Sequence, residues 1–155
     1  MPKLNLSHRV RRGNSNSSAL RILLVDDFEP FRRIVRSLTL GRAELAIIFE
    51  ASDGLTAVQK AEELHPDLIL MDIGLPSLNG IEAARRILHG NSQAKVLFLT
   101  AESSSECVGE AFNLGAQGYI VKRDARTDLL SGIDAVVRNE KFASRSLRRP
   151  KEPSA

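Results

Sequence analysis

The sequence predicts an α/β fold, a three-layer (βα)5 sandwich built around a five-stranded parallel sheet, and three observations carry that prediction. Five short apolar runs recur along the chain. Each is followed by a longer segment with apolar residues at helical spacing. The midpoints of the runs, near residues 23, 48, 70, 97 and 120, lie about one strand-plus-helix unit apart. Strands that alternate with helices in this way pair in parallel. The chain has 155 residues, enough for one domain of ordinary size, and its 43% hydrophobic and 26% charged content allows a packed core.

The apolar runs are Ile22 to Val25, Ile47 to Phe49, Leu68 to Met71, Val96 to Leu99 and Tyr119 to Val121. They are continuous rather than alternating, as expected of strands covered on both faces. The first helix carries Phe31, Ile34, Val35 and Leu38 at i, i+3, i+4, i+7, with Pro30 in the first turn, where its missing N–H does no harm. A second stripe, Ala57, Val58, Ala61 and Leu64, begins after Asp53-Gly54 and ends before Pro66. Ile81, Ala84 and Leu88 follow Asn79-Gly80; Val108, Ala111 and Phe112 stop at Gly115; Leu129, Ile133, Val136 and Val137 form the fifth helix. No internal sequence repeat accompanies this regular spacing, which excludes a solenoid.

The net charge is +3, with 22 Lys and Arg against 19 Asp and Glu, and that balance alone invites a nucleic-acid reading. Its distribution argues otherwise. Residues 1–19 carry +4 and residues 140–155 carry +3, so residues 20–139 carry −4. The expected organisation is a disordered basic N-terminal tail over 1–19, a folded domain over 20–139 and a basic C-terminal tail over 140–155. Gly13 to Ser18 has the composition of a flexible linker. A single cysteine, Cys107, leaves no internal disulfide and suits a reducing compartment. No apolar run approaches the roughly 18 residues a membrane span needs, and the N-terminus lacks the apolar stretch of a secretory signal. The expectation is a cytoplasmic protein without membrane contact.

In a parallel sheet the residues just past the strand ends gather on one edge, where open α/β folds bind ligands. Those residues are Asp26 and Asp27 after the first strand, Asp72 after the third, Thr100 after the fourth and Lys122 after the fifth. Carboxylates crowded together repel unless a cation neutralises them, and a hard divalent ion with oxygen ligands fits. Mg2+ takes one or two carboxylates, keeps waters and binds phosphate oxygens. The chemistry this set supports is phosphoryl transfer to a carboxylate, which needs positioning and charge neutralisation more than a base. Asp72, central among the others, is the candidate nucleophile.

The pattern Val25-Asp26-Asp27, Pro66 to Pro76 with Asp72 inside it, Asn79-Gly80, Leu99-Thr100-Ala101 and Gly118 to Lys122 resembles the receiver domain of bacterial two-component response regulators. The resemblance covers about residues 20–139. It implies the flavodoxin-like strand order 2-1-3-4-5 and a phosphoryl group accepted on Asp72 from a histidine kinase or phosphotransfer protein. It further implies Mg2+ held directly by Asp27, Asp72 and the backbone carbonyl of Gly74, with Asp26 acting mainly through water. Lys122 would pair with phosphoryl oxygens, and Thr100 would move toward the phosphate and let the Tyr119 side chain turn inward. Such a module catalyses only its own phosphorylation and dephosphorylation and is no conventional enzyme. Gly74 and Glu102 fall where the family tunes phosphoryl lifetime. Lys122-Arg123-Asp124 and Phe142-Ala143-Ser144 resemble the NarL/FixJ branch, whose members usually end in a helix-turn-helix; residues 140–155 resemble only the start of its linker. The expectation is a stand-alone receiver acting through an unidentified downstream protein, with a phosphorylation-dependent homodimer as the family's habit.

Plainer readings stand beside these. A lone carboxylate after a strand is ordinarily a turn or capping residue, so Asp26 or Asp27 alone means little, and only the five matched positions together carry the assignment. Thr100 alone would serve as a helix cap and Tyr119 as packing. Cys107 lacks a neighbouring base in sequence to activate it, and His8, His65 and His89 have no metal-ligand spacing. Direct nucleic-acid binding through the basic tails, with charges of +4 and +3, would be weak and steeply salt-dependent. A phosphatase of haloacid-dehalogenase type is disfavoured because Gly74, not a second acid, stands two residues after Asp72.

Overall fold

The computed structural model describes residues 18–148. The disordered-tail expectation for 1–17 and the end of the C-terminal tail, 149–155, fall outside the described residues. The strands are β1 (Leu20–Val25), β2 (Leu45–Ala51), β3 (Leu68–Met71), β4 (Lys95–Thr100), β5 (Gly118–Val121) and β6 (Phe142–Ala143). The helices are α1 (Glu29–Thr39), α2 (Gly54–Leu64), α3 (Gly80–Gly90), α4 (Ser105–Asn113), α5 (Ala125–Val137) and α6 (Arg145–Arg148), and a 3-10 turn, Lys122–Asp124, follows β5. All strand pairs are parallel.

The sheet corrects the expected count. It has six strands in the order 2-1-3-4-5-6, not five, and the sixth comes from residues assigned to the C-terminal tail. Phe142–Ala143 pairs with Gly118 and Tyr119 on the outer edge of β5. Two residues are too few to give a strand period, and the polar residues around them hide the element. β6 exists because of what it lands on: the ring of Phe142 packs where Gly132 of α5 leaves no side chain, so that an added Cβ would lie 3.0 Å from the ring and 2.8 Å from Ile120.

Side chains of the central strands alternate between two cores. Leu23, Val25, Ile69, Met71, Val96, Phe98, Tyr119 and Val121 face α2, α3 and α4. Ile22, Leu24, Leu68, Leu70, Leu97, Leu99 and Ile120 face α1 and α5. The uninterrupted apolar runs follow from this covering of both faces, whereas β2, at the sheet edge, is only half-buried over most of its length. Helix starts are set by side chains that accept from orphan amides of the first turn: Asp53 from Thr56, Asn79 from Glu82 and Ser104 from Cys107.

The segment around Arg145 and Ser146 is tied down by two buried carboxylates. Asp128 accepts from the Arg145 amide at 2.7 Å and the Arg145 guanidinium at 3.3 Å. Asp124 accepts from the amide of Ser146 at 3.0 Å and its hydroxyl at 2.6 Å. Burial pushes the Asp124 carboxyl up, but bonds from Ser146 and Ser144 outweigh it and hold the group below its ordinary value of 3.8. Because the folded state prefers the charged form, this stabilisation is complete above pH 3.8 and disappears as the pH falls through the lower folded value. In urea titrations, wild type should exceed Asp124→Asn in stability at neutral pH, and the gap should close as the solution is acidified below about pH 4. A gap independent of pH would show that the charge of Asp124 contributes nothing.

Candidate phosphoacceptor and cation site

The register brings the acids together. Val25 is paired with Met71, so Asp26 and Asp72, one residue further on, leave neighbouring strands side by side. The amide of Asp72 donates to the Val25 carbonyl at 2.9 Å and that of Asp26 to Ala51 at 3.0 Å, so the strand ladder continues into the site. Thr100 is paired with Val121, which places Lys122 just beyond it on the same edge. Asp26 and Asp72 are only 2% and 7% exposed, while Asp27 faces solvent. Gly74 is exposed in the loop after β3.

That loop is fixed from below. Leu75 and Gly80 both donate to the Ile73 carbonyl, at 2.8 and 2.7 Å, and the Asp72 carboxylate accepts the Ile73 amide at 2.7 Å. Gly80 is required here, since a Cβ on it would stand 1.9 Å from the carbonyl oxygen of Asp72. The first turn of α3 can therefore press directly on the backbone that carries the candidate nucleophile.

Lys122 supplies the neutralising charge. Its ammonium lies 2.7 Å from Asp26 and 3.2 Å from Asp72. It also sits 4.5 Å from the ring centre of Phe31, a favourable cation–π distance. Phe31 had only the stripe of a core residue in the sequence, and nothing there separates packing from contact with a cation. Burial pulls the Lys122 ammonium down, but hydrogen bonding and attraction from Asp26 and Asp72 outweigh it and raise its pKa, so the amine stays charged. Burial is also the largest influence on Asp26, followed by the opposing bonds from Lys122 and Phe28, and its net effect is to raise the carboxyl. Arg32, unremarked in the sequence, donates to the Asp26 carbonyl at 2.6 Å and pairs with Glu50 at 2.9 Å, bracing the β1 end.

Thr100 is 1% exposed, and its hydroxyl lies 3.4 Å from the Glu102 amide, a long capping contact. Tyr119 is already turned inward. Its side chain is fully buried near the rings of Phe98 and Phe112, at centroid distances of 6.1 and 6.5 Å, and its hydroxyl donates to the Glu102 carbonyl at 2.9 Å. Burial, first, then the neighbouring Cys107 and acids push the phenol well above its ordinary value, so it remains a donor. Cys107 thus packs beside Tyr119 as a half-buried helix residue.

Among the described residues, Asp26, Asp27 and Asp72 form a group able to hold a metal, offering carboxylate oxygens within 4.8 Å of one another. Hard oxygen donors with an open, solvent-facing side fit Mg2+. A cation at 100 times its dissociation constant stabilises the folded state by about 2.7 kcal/mol, worth roughly 10 °C in Tm for a chain of this size. Melts in excess Mg2+ should show a rise of that order for wild type and a much smaller one for Asp27→Asn; an equal rise in both would exclude Asp27 from the site.

Comparison with known proteins agrees with this geometry. The family model described as the response regulator receiver domain matches residues 22–134. The chain is 31% identical over 133 residues to the nitrate/nitrite response regulator protein NarL of Escherichia coli, covering 86% of this chain and 62% of that one. It is 40% identical over 117 residues to Protein CcdB of Bacillus subtilis, covering 76% of this chain and 97% of that one. It spans 47% to 62% of the length of several regulatory proteins that it matches. A two-component response regulator of the LuxR family from Aurantimonas superposes with a TM-score of 0.80 at 34% identity, over 84% of this chain and 94% of that one. Among the described residues no helix is long and apolar enough to cross a membrane. The chain belongs to the response regulator receiver domain family, and its homologues include regulators of the NarL and LuxR type.

Proposed function

We propose that Asp72 is the phosphoacceptor of this receiver, charged by a histidine kinase or phosphotransfer protein, and that the receiver signals by phosphorylation-dependent binding of a partner protein. The observation that carries the reading is the Lys122 ammonium between Asp26 and Asp72, at 2.7 and 3.2 Å, with Thr100 at the next strand end. Protein CcdB, covered almost throughout by this match, supports a receiver acting as a module in its own right.

The step is an in-line transfer. A carboxylate oxygen of Asp72 forms the new O–P bond while the bond from phosphorus to the donor's leaving group breaks, and the leaving group departs with the electron pair. No proton need be removed from Asp72, because an ionised carboxylate is already a nucleophile. Lys122 exchanges its contact with the Asp72 carboxylate for one with a phosphoryl oxygen and keeps its contact with Asp26. The Thr100 hydroxyl, held only by a long bond to Glu102, is free to turn toward the same group. Asp26, Asp27, Asp72 and the Gly74 carbonyl are the residues that would hold Mg2+. When bound, that ion neutralises phosphoryl oxygens and orients them for attack. The same residues serve hydrolysis of the acyl phosphate, so the module catalyses its own phosphorylation and dephosphorylation and no other turnover. A shift of Thr100 and Glu102 would reach Tyr119, whose hydroxyl is bonded to the Glu102 carbonyl, and through it the surface of α4, β5 and α5.

Incubation with a small acyl phosphate donor and Mg2+, followed by intact mass, should add one phosphoryl group to wild type. The adduct should survive brief acid and be lost in base. Asp72→Asn should gain none. An equal gain by the Asn variant would assign the phosphate to another residue.

A further inference from the structure

The segment after α5 is bound to the turn that carries Lys122. Lys122 begins the three-residue 3-10 turn Lys122–Asp124. On its N-terminal side, the Val121 amide donates to the Ser144 hydroxyl at 3.0 Å, and the Ser144 amide donates to the Tyr119 carbonyl at 3.0 Å. On its C-terminal side, the Asp124 carboxylate accepts both bonds from Ser146. Ser144 is fully buried, and Leu147 packs against the core cluster that contains Tyr119. The turn is therefore gripped at the residue before Lys122 and two residues after it.

We propose that residues 142–148 are a clamp in cis that positions Lys122, with Ser144 and Asp124 as the positioning residues. β5 has a full partner, β4, on one side and only the two residues of β6 on the other. The Val121 amide faces that weak side and is buried, so without the Ser144 hydroxyl it would be an unsatisfied donor. Lysine reaches its target on a flexible four-carbon stem. The position of its ammonium between Asp26 and Asp72 then depends on the backbone from Val121 to Asp124 staying fixed. Displacements of about 1 Å are enough to lower a transfer rate strongly. A segment that merely covered the sheet edge would stabilise the fold without acting through Lys122, and the two roles differ in measurable ways.

The first test does not depend on phosphoryl transfer. Full-length wild type, Ser144→Ala, Asp124→Ala and Asp124→Asn are labelled briefly with acetic anhydride, and the rate at each lysine is read by peptide mass. Lys122 should be labelled roughly five-fold faster in both Ala variants, the size expected from one lost hydrogen bond, with Lys60 and Lys95 unchanged. Asp124→Asn, which keeps an acceptor oxygen for Ser146, should fall in between. An unchanged Lys122, or a rise shared by Lys60 and Lys95, would overturn the clamp. The second test rests on the phosphoacceptor reading. Asp124→Ala should slow phosphorylation several-fold at unchanged half-saturating Mg2+, and should add nothing in a Lys122→Ala background. The same fold-loss in both backgrounds would again overturn it. If wild type takes up no phosphate, the phosphoacceptor reading fails while the labelling result still decides the clamp.

Discussion

Parallel pairing of β1 with β3 forces Asp26 and Asp72 side by side at the sheet edge, and the cation placed between them is the constraint on which the remaining architecture depends. Two carboxylates in that position, both nearly withdrawn from water, repel each other and lose hydration. No residue on their own strands offsets this. The positive charge comes from the residue that follows β5, with β4 intervening between that strand and β3. A residue with a long flexible stem is needed to cover that distance, and a lysine provides it together with a compact charge that can exchange partners. The ring of Phe31 accepts the same ammonium from the α1 side, so a core residue of one helix also takes part in the electrostatics.

Because the attraction acts between side chains from separate strands, the backbone beneath each must be held independently. Asp72 is fixed by the close approach of Gly80 and by its own bond to the Ile73 amide. Asp26 is fixed by the Phe28 amide and by Arg32, which is itself anchored on Glu50. Such support is what lets a fold retain a cluster that opposes its own stability. It also leaves Thr100 and Tyr119 as the polar groups beside the site whose bonds run to one loop residue, Glu102. Tyr119 in turn lies 6.5 Å from the ring of Phe112, so this loop residue and α4 meet at one buried phenol.

The strands and helices were legible because each central strand is covered on both faces, which makes it a continuous apolar run, and each capped helix starts at a short polar residue. The strand-end acids and Lys122 were legible because parallel strands must deliver their C-terminal neighbours to one edge. β6 was not legible. Its pairing depends on the gap at Gly132, and α5 carries that glycine ten residues earlier in the chain without any local sign of its use. Nothing in the sequence marks Asp124 and Asp128 as buried, since a buried carboxylate is recognisable only from the donors that satisfy it. The roles of Phe31 and Arg32 arise from contacts between elements and leave no spacing to detect.

The distribution of charge acquires a cause from these contacts. A negative body with positive ends would be a curiosity of composition if the ends were merely solubilising. Arg145 instead pairs with the buried Asp128, and the guanidinium of Arg148 lies 5.4 Å from the ring centre of Phe142. At least part of the basic C-terminal segment is thus held by acids of the domain it follows. The domain's acids then fall into two sets with one physical logic. Asp26, Asp27 and Asp72 converge where only a cation can reconcile them, and Asp124 and Asp128 are placed to accept amide, hydroxyl and guanidinium donors from the segment that follows α5. Lys122 lies between the sets, touching the first through its ammonium and adjoining the second through its backbone.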